Sequence, residues 1–544
     1  MDLESFDSRR SVVYGRKGMV ATSQPLATAA GLEVLRAGGN AADAAVAVAA
    51  ALNVTEPSST GIGGDMFALW WDGSSGAIEA LNGSGRCPRS LDLDRLQREG
   101  LGGGLPPFHP YTVTVPGACA GWFELLDRHG RLPPTRVFAP AIELAEEGFP
   151  VAPVTSWFWK RGADRQLAAA INGGELTIDG RGPEPGEFFR NSGLASTLRL
   201  VAEKGPSVFY EGEIAESIVA TLREAGGCLD EDDLANHDSS WEEPISLAHG
   251  DLVFHECPPN GQGLVALLAL SILNGFDLDS LAPLSAERLH LEIEALRLAF
   301  ADARRFVADP AFRVVPVDEL LSEGYAKRRR AFVDPRRATA DPVAGSPLAS
   351  SDTVYFCVVD GEGNACSFIN SNYMGFGTGI VPKGRGFSLQ NRGHNFSMER
   401  GGANALEPGK RPYHTIIPAL ITRGSGSGRR LFGAFGVMGG FMQPQGHLQV
   451  GLSLAAGEEP QTALDRPRFC IDIGGTAAGG PVLLEEGIPW KTAARLAELG
   501  HEVRPVAGWG RAAFGRGQAI LRSPEGLLSG GSDPRADGLA MPLL

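Results

Sequence analysis

No run of about 18 apolar residues occurs in this chain, so no membrane-spanning helix is expected from it. Blocks of five or six lysines or arginines are also missing. With a formal charge of −15, nucleic acid and anionic membrane are not expected partners. The first twenty residues hold Arg9, Arg10, Arg16 and Lys17 but no apolar h-region, so the twin arginines are not expected to make a signal peptide. The seven cysteines (Cys87, Cys119, Cys228, Cys257, Cys357, Cys366, Cys470) are odd in number and lack CxxC spacing. They read as reduced, mostly buried thiols, which points to the cytoplasm. HExxH is absent and the ten histidines are scattered, so neither a metal nor a cofactor is expected. A phosphate-binding glycine loop with its lysine and a Gly-x-Ser-x-Gly elbow are both missing, which argues against nucleotide chemistry and a serine-hydrolase nucleophile.

What remains suits a globular enzyme. Of 544 residues, 43% are hydrophobic and 21% charged, enough for several cores or one large two-part domain. Gly 72 and Pro 37 predict many tight loops and close backbone approaches. Met19–Thr22 reads as a strand and Ala41–Leu52 as a helix. The helix is rich in small apolar residues nearly all round, so it should be buried, with Asn40 as its N-cap. Phe67–Trp71 and Ala77–Leu81 read as a hairpin. Residues 120–335 read as mainly helical, including Arg136–Glu147, Glu213–Ala225 and Ala286–Phe306. After Thr353 strands dominate: Val354–Val359, Ala365–Ile369, Ala419–Thr422 and Leu431–Ala434. Helices return at Gly446–Ala456 and Ile488–Leu499. Strands from both ends around a helical middle pack most simply as two sheets covered by helices.

The segment from Ser351 to Asp360 carries the clearest chemical candidate. The Gly/Pro/Ser-rich stretch 341–350 reads as a loop and leads into it. Thr353 then opens an apolar run that reads as a buried strand. If the Asp352–Thr353 bond breaks, Thr353 gains an α-amine with a pKa of about 7.7–8.0 beside its own hydroxyl. One residue then supplies both nucleophile and base. The same position also suits an ordinary strand-start threonine. Gly439-Gly440 can aim backbone N–H groups at one point, as an oxyanion hole requires, or can make a plain tight turn. His414 can serve as an acid/base or substrate contact, or as a core histidine. Arg86 can grip a carboxylate, or lie in a surface turn.

Several segments, in order, resemble the γ-glutamyltransferase (glutathione hydrolase) family of N-terminal-nucleophile hydrolases. They are the segment from Gly38 to Ala47, then Gly61-Ile62-Gly63-Gly64-Asp65, Val115-Pro116-Gly117 and Pro258-Pro259-Asn260-Gly261-Gln262-Gly263. Thr353 to Asp360, Phe376-Gly377-Thr378-Gly379-Ile380, Lys410-Arg411-Pro412 and Gly439-Gly440 follow. The resemblance implies an α+β fold, a four-layer αββα sandwich with a largely helical middle region. It also implies a precursor cut before Thr353 into a large subunit, 1–352, and a small one, 353–544, interlocked as one domain. An oligomer of that heterodimer is possible. Catalytic roles fall on Thr353 as nucleophile, Gly439 and Gly440 as oxyanion donors, and Ser371, which stands where the family has a threonine.

The glutamate clamp of true transpeptidases is rewritten. Their arginine falls on Ser84, with Arg86 two residues later. Their asparagine falls on Tyr373, their glutamine on Arg392, their amine-binding aspartate on Asn395, and their serine pair on His414-Thr415. Arg86, Tyr373, Arg392, Asn395, His414 and Thr415 are therefore the candidate substrate contacts. The pattern is similar to the cytoplasmic branch that holds glutathione hydrolase-like proenzymes and oxamate amidohydrolase-type enzymes. The expected activity is hydrolysis of a small-molecule amide through an acyl-enzyme on Thr353. The amide is a γ-glutamyl compound such as glutathione, or alternatively a small carboxylated amide such as oxamate or another acyl amide. A non-catalytic binding or scaffold relative is the competing class.

Overall fold

Strand Val354–Val359 is buried on both faces, and the rest of the architecture follows from that. Side chains alternate along a strand. Val354, Phe356 and Val358 therefore join an apolar cluster with the helices, while Tyr355 and Cys357 join a second cluster between two sheets. In that second cluster Met19, Ala21, Phe67 and Leu69 meet Leu420, Leu431, Ala434 and Ile520 from the opposing sheet. A third cluster packs Ala419, Ile421, Phe435 and Val437 under helices Gly263–Leu273, Ala286–Phe306 and Met442–Ala455. The layer order is helix, sheet, sheet, helix, the expected αββα sandwich.

The chain is described here as a computed structural model covering residues 10–339, 353–472 and 480–544. Stretch 341–350, Ser351, and the Asp352 side of the expected cleavage point lie outside the described residues. One seven-stranded sheet runs, in spatial order, Val13–Gly15, Leu528–Ser532, Arg516–Arg522, Arg430–Met438, Ala419–Arg423, Leu252–Glu256 and Ile245–His249. The other runs Leu539–Pro542, Met19–Thr22, Val354–Val359, Ala365–Ser371, Asp65–Trp71, Ile78–Gly83 and Ser240–Glu242. Neighbouring strands in both sheets are antiparallel. Both sheets combine strands from before and after Thr353, so neither part of the chain completes a sheet without the other.

Helix Ala41–Thr55 is buried along its whole length. Alanine supplies the propensity, and Asn40 with Asp43 forms a capping box at its start. The Asp360 carboxylate also accepts the Ala41 N–H at 3.0 Å, fixing the helix to the end of the Thr353 strand.

Two element boundaries need correction, and the middle region, read as mainly helical, also holds Ser240–Glu242 and Ile245–His249 as edge strands and Leu252–Glu256 inside a sheet. Burial of the two edge strands is partial, and that weakened the apolar signal there. The Arg136–Glu147 helix breaks at Phe138, before Pro140 at the start of the next helix. Strand Leu431–Ala434 runs on to Met438, through Gly436. A Cβ on Gly436 would lie 2.5 Å from the Tyr355 ring, so this glycine lets the two sheets approach.

Candidate active site

Sheet register brings the site together. Val354 pairs with Asn370, so one residue back Thr353 stands opposite Ser371. Ser371 in turn pairs with Asp65 on the next strand. Three residues far apart in sequence thus form a row across one end of three strands. Thr353 Oγ1 lies 3.0 Å from Ser371 Oγ, and both residues are fully buried. Ser371 Oγ also accepts the Tyr373 backbone N–H at 2.8 Å. Tyr373 takes a left-handed φ of 77°, which an aromatic residue holds only when its surroundings require it. The Gly61–Asp65 loop closes the same end. A Cβ on Gly64 would lie 2.4 Å from the Ser371 carbonyl oxygen, so only glycine fits there.

Gly439 and Gly440 end strand Arg430–Met438 just before helix Met442–Ala455, with φ of 129° and 61°. Those angles suit glycine and turn the chain sharply. The Gly440 carbonyl accepts Gln262 Nε2 at 2.8 Å, and the same amide group donates to the Thr415 carbonyl at 2.6 Å. Gln262 therefore couples the glycine turn to the segment holding His414 and Thr415. Gln262 and Asp65 received no role from sequence, although each closes a Gly-containing motif that carried the family resemblance, PPNGQ and GIGGD, and that was the available signal.

From Tyr373 a polar network spreads through the interior. The Tyr373 hydroxyl donates to Asn395 Oδ1, and Asn395 Nδ2 donates to the Tyr413 carbonyl at 3.1 Å. The Arg392 guanidinium lies over the Tyr373 ring at 4.4 Å and donates through Nη1 to Thr415 Oγ1 at 2.6 Å. Its Nε is 3.8 Å from Asp65 Oδ2. Arg392 is fully buried, and among the described residues its Nε and Nη2 make no hydrogen bond. Burial pulls its pKa down to about 10, opposed by the Asp65 and Tyr373 charges, so it remains a cation at neutral pH. Burial pushes the Tyr373 hydroxyl up to about 12, against the pull of Arg392.

Asp65 is enclosed by donors. Oδ1 accepts the Gly85 and Gly117 N–H groups at 3.1 and 3.3 Å, and Oδ2 accepts His414 Nε2 at 3.0 Å. Burial, then the Arg392 charge, push His414 down to about 4 against the pull of Asp65. The ring is therefore neutral and carries its proton on Nε2, while Nδ1 accepts the Ile416 N–H at 3.4 Å. This geometry favours the core-histidine reading over a free acid/base. Arg86 stands apart from the network, since its guanidinium reaches Asp309 Oδ2 and the Gly409 carbonyl, both at 3.3 Å. The structure thus joins Thr353, Ser371, Tyr373, Arg392, Asn395, His414 and Thr415, and leaves the Arg86 side chain outside.

Among the described residues, one buried group has metal-ligand donors close together: His290, Glu294 and His501, with one ligand atom each all within 4.8 Å. No ligand spacing in the sequence points to this group, because His501 lies more than two hundred positions beyond the other two. None of the three belongs to the Thr353 network.

A protein-family comparison matches the gamma-glutamyltranspeptidase model over residues 27–543. The chain is 36% identical to a Bacillus subtilis glutathione hydrolase-like YwrD proenzyme, covering 97% of this chain and 99% of that protein. It is 34% identical to an oxamate amidohydrolase proenzyme of Klebsiella pneumoniae, over 96% and 98% of the two chains. The crystal structure of cephalosporin acylase from Bacillus halodurans superposes with a TM-score of 0.90 at 45% identity, covering 99% of this chain and 98% of that one.

Proposed function

The chain belongs to the gamma-glutamyltranspeptidase family of self-processing amide hydrolases, and from that premise we propose that Thr353 is its nucleophile and a carboxylate-bearing acyl amide its substrate. In processing, Thr353 Oγ1 attacks the Asp352 carbonyl and displaces the Thr353 nitrogen, and water then cleaves the ester. This leaves a large subunit, 1–352, with a new carboxylate, and a small subunit, 353–544, with a free α-amine. In turnover that amine takes the Oγ1 proton as Oγ1 attacks the substrate amide. The Gly439 and Gly440 amides hold the tetrahedral oxyanion. The amine product leaves with the proton, and water releases the acid from the Thr353 ester. Ser371 holds the threonine hydroxyl in line.

The observation that carries the substrate reading is Arg392. It is a buried cation with two donor atoms lacking hydrogen bonds, stacked on the residue that bonds Ser371. A carboxylate on the acyl group answers such a guanidinium bidentately. An α-ammonium would need an anion, and Asp65 already faces Gly85, Gly117, His414 and Arg392. We therefore favour an acyl group with the carboxylate but without the amine. A γ-glutamyl compound such as glutathione is the second reading, favoured by similarity to the Bacillus subtilis glutathione hydrolase-like protein. Side-by-side hydrolysis of glutaryl-p-nitroanilide and γ-glutamyl-p-nitroanilide decides between them, because the two differ only in the α-ammonium. Faster γ-glutamyl turnover would reverse the preference. No turnover of either, with an intact 57.3 kDa chain in place of pieces of about 37 and about 20 kDa, would leave the scaffold reading.

Among the described residues no helix is long and apolar enough to cross a membrane. All seven cysteines are unpaired and six are buried, which supports a cytoplasmic location.

A further inference from the structure

Helix Ala286–Phe306 carries His290 and Glu294 one turn apart, so both side chains leave the same face. That face meets His501, just beyond helix Trp490–Glu498. Relative exposures of His290, Glu294 and His501 are 0%, 1% and 5%. His290 Nδ1 and His501 Nε2 are 2.8 Å apart. His290 Nε2 lies 2.8 Å from the Asp334 carbonyl oxygen. A carbonyl only accepts, so Nε2 carries the proton and Nδ1 turns its lone pair toward His501. That is how protein structures hold a metal-binding histidine: one ring nitrogen free to ligate, the other fixed by a carbonyl. Glu294 is fixed likewise, with Oε2 accepting the Thr339 N–H at 2.9 Å and the Thr339 hydroxyl. Its other oxygen, Oε1, is buried and has no hydrogen-bond partner among the described residues. Among those residues His501 Nδ1 also has none. A carboxylate oxygen left alone in the interior is expensive unless a donor or cation meets it. Arg297, close to Glu294 on the same helix, donates to the Gly480 carbonyl at 2.8 Å.

We propose that His290, Glu294 and His501 bind one divalent cation of the zinc class, with water as the fourth ligand. Two imidazole nitrogens and one carboxylate are a zinc donor set, and zinc tolerates the small rearrangement required. Zinc–nitrogen bonds of 2.0–2.1 Å at tetrahedral angles set the two nitrogens about 3.3 Å apart, so the histidine pair opens by roughly half an ångström. The hydrogen now between the rings moves to His501 Nδ1 as Nε2 takes the metal. The ion joins helix Ala286–Phe306 to a residue of the 353–544 part, and Asp334 and Thr339 anchor the segment just before residue 340 to the same ligands. It acts as a clip between the two parts of the chain, and shares no residue with the Thr353 network.

The test uses the full-length protein, stripped with chelator, loaded with zinc sulfate and passed through gel filtration. Elemental analysis should find about one zinc per chain, and the thermal midpoint should rise on loading. Glu294→Gln and His501→Gln should each bind zinc at least tenfold more weakly while keeping wild-type circular dichroism. Wild-type protein that retains no zinc above the stripped control, or variants that retain it equally well, would overturn the site. Cobalt(II)-loaded wild-type protein gives a reading that does not depend on a variant folding. Tetrahedral d–d absorption without a thiolate band supports the site. An octahedral spectrum, or a band from cysteine ligation, refutes it.

Discussion

Arg392→Met is the sharpest test of the network around Thr353. The substitution keeps an apolar stem over Tyr373 and removes the charge. Two charge-assisted bonds to a substrate carboxylate, at about 1.5 kcal/mol each, would be lost, a fall of roughly 150-fold in kcat/KM. An acyl amide without the carboxylate should lose far less, so the ratio of glutaryl to butyryl p-nitroanilide hydrolysis is the assay. Stability supplies an independent reading. Breaking a buried ion pair costs about 3–5 kcal/mol, and here the lower end applies, because Asp65 keeps His414 and the Gly85 and Gly117 amides. The pH dependence has a definite sign. His414 titrates near 4 in the folded chain and near 6.5 when unfolded, so stability is fully present above about pH 6.5 and is lost as pH falls toward 4. Over that interval the loss is of order 3 kcal/mol. The Arg392 charge is the second cause of the His414 depression, and Asp65 pulls the other way. Without Arg392 the His414 value rises and the acid loss shrinks. Urea denaturation at pH 7 and pH 5 should therefore show the gap between wild type and variant narrowing in acid. An unchanged glutaryl-to-butyryl ratio would refute the substrate contact, and a gap that stays constant or widens would refute the electrostatic coupling.

Thr353→Ala should give a single uncut 57.3 kDa species by intact mass and no amide hydrolysis, whereas Thr353→Ser should still cut, more slowly. Ser371→Ala removes the partner of Thr353 Oγ1 and the acceptor of the Tyr373 N–H, so self-cleavage followed by mass spectrometry should slow at least tenfold, with a stability loss of about 1–3 kcal/mol. Cleavage at the wild-type rate would remove Ser371 from the mechanism. Gly436→Ala places a methyl 2.5 Å from the Tyr355 ring, so urea denaturation should show a loss of about 1–3 kcal/mol from forced repacking between the sheets.

The place of Thr353, the proposed nucleophile, at the head of a buried strand was legible in sequence because the signal is local: a hydroxyl residue opening an apolar run of strand length. Ala41–Thr55 was legible for the same kind of reason, as alanines and an Asn40 cap act within one element. The edge strands Ser240–Glu242 and Ile245–His249 were not, because they bury only part of their residues. The Asp65–His414 pair could not be read from spacing, since Asp65 pairs with Ser371 only through strand register. Arg86 illustrates the reverse case. It sits two residues from the position a family arginine would take, yet Asp309 draws its guanidinium elsewhere. His290 and Glu294 carry helical spacing, but the third member arrives from the far end of the chain.

The residues proposed as substrate contacts depend on one another. Placing a cation at 392 inside the protein requires a counter-charge and a surface that tolerates it, and Asp65 and the Tyr373 ring provide these. Asp65 is then shared among Arg392, His414 and two backbone amides, which leaves it poorly placed to receive a substrate ammonium. Asn395, standing where an aspartate would bind that ammonium, is engaged instead by the Tyr373 hydroxyl. Reversal of a single position should therefore fail to restore γ-glutamyl recognition. Asn395→Asp alone would set a second carboxylate beside Tyr373 with Arg392 still in place, and that cation would attract the new charge inward, away from a substrate amine. Only a combined change at 392 and 395 frees an anion for the ammonium. The double variant should gain γ-glutamyl-p-nitroanilide hydrolysis relative to the glutaryl compound, by a factor exceeding the product of the two single effects.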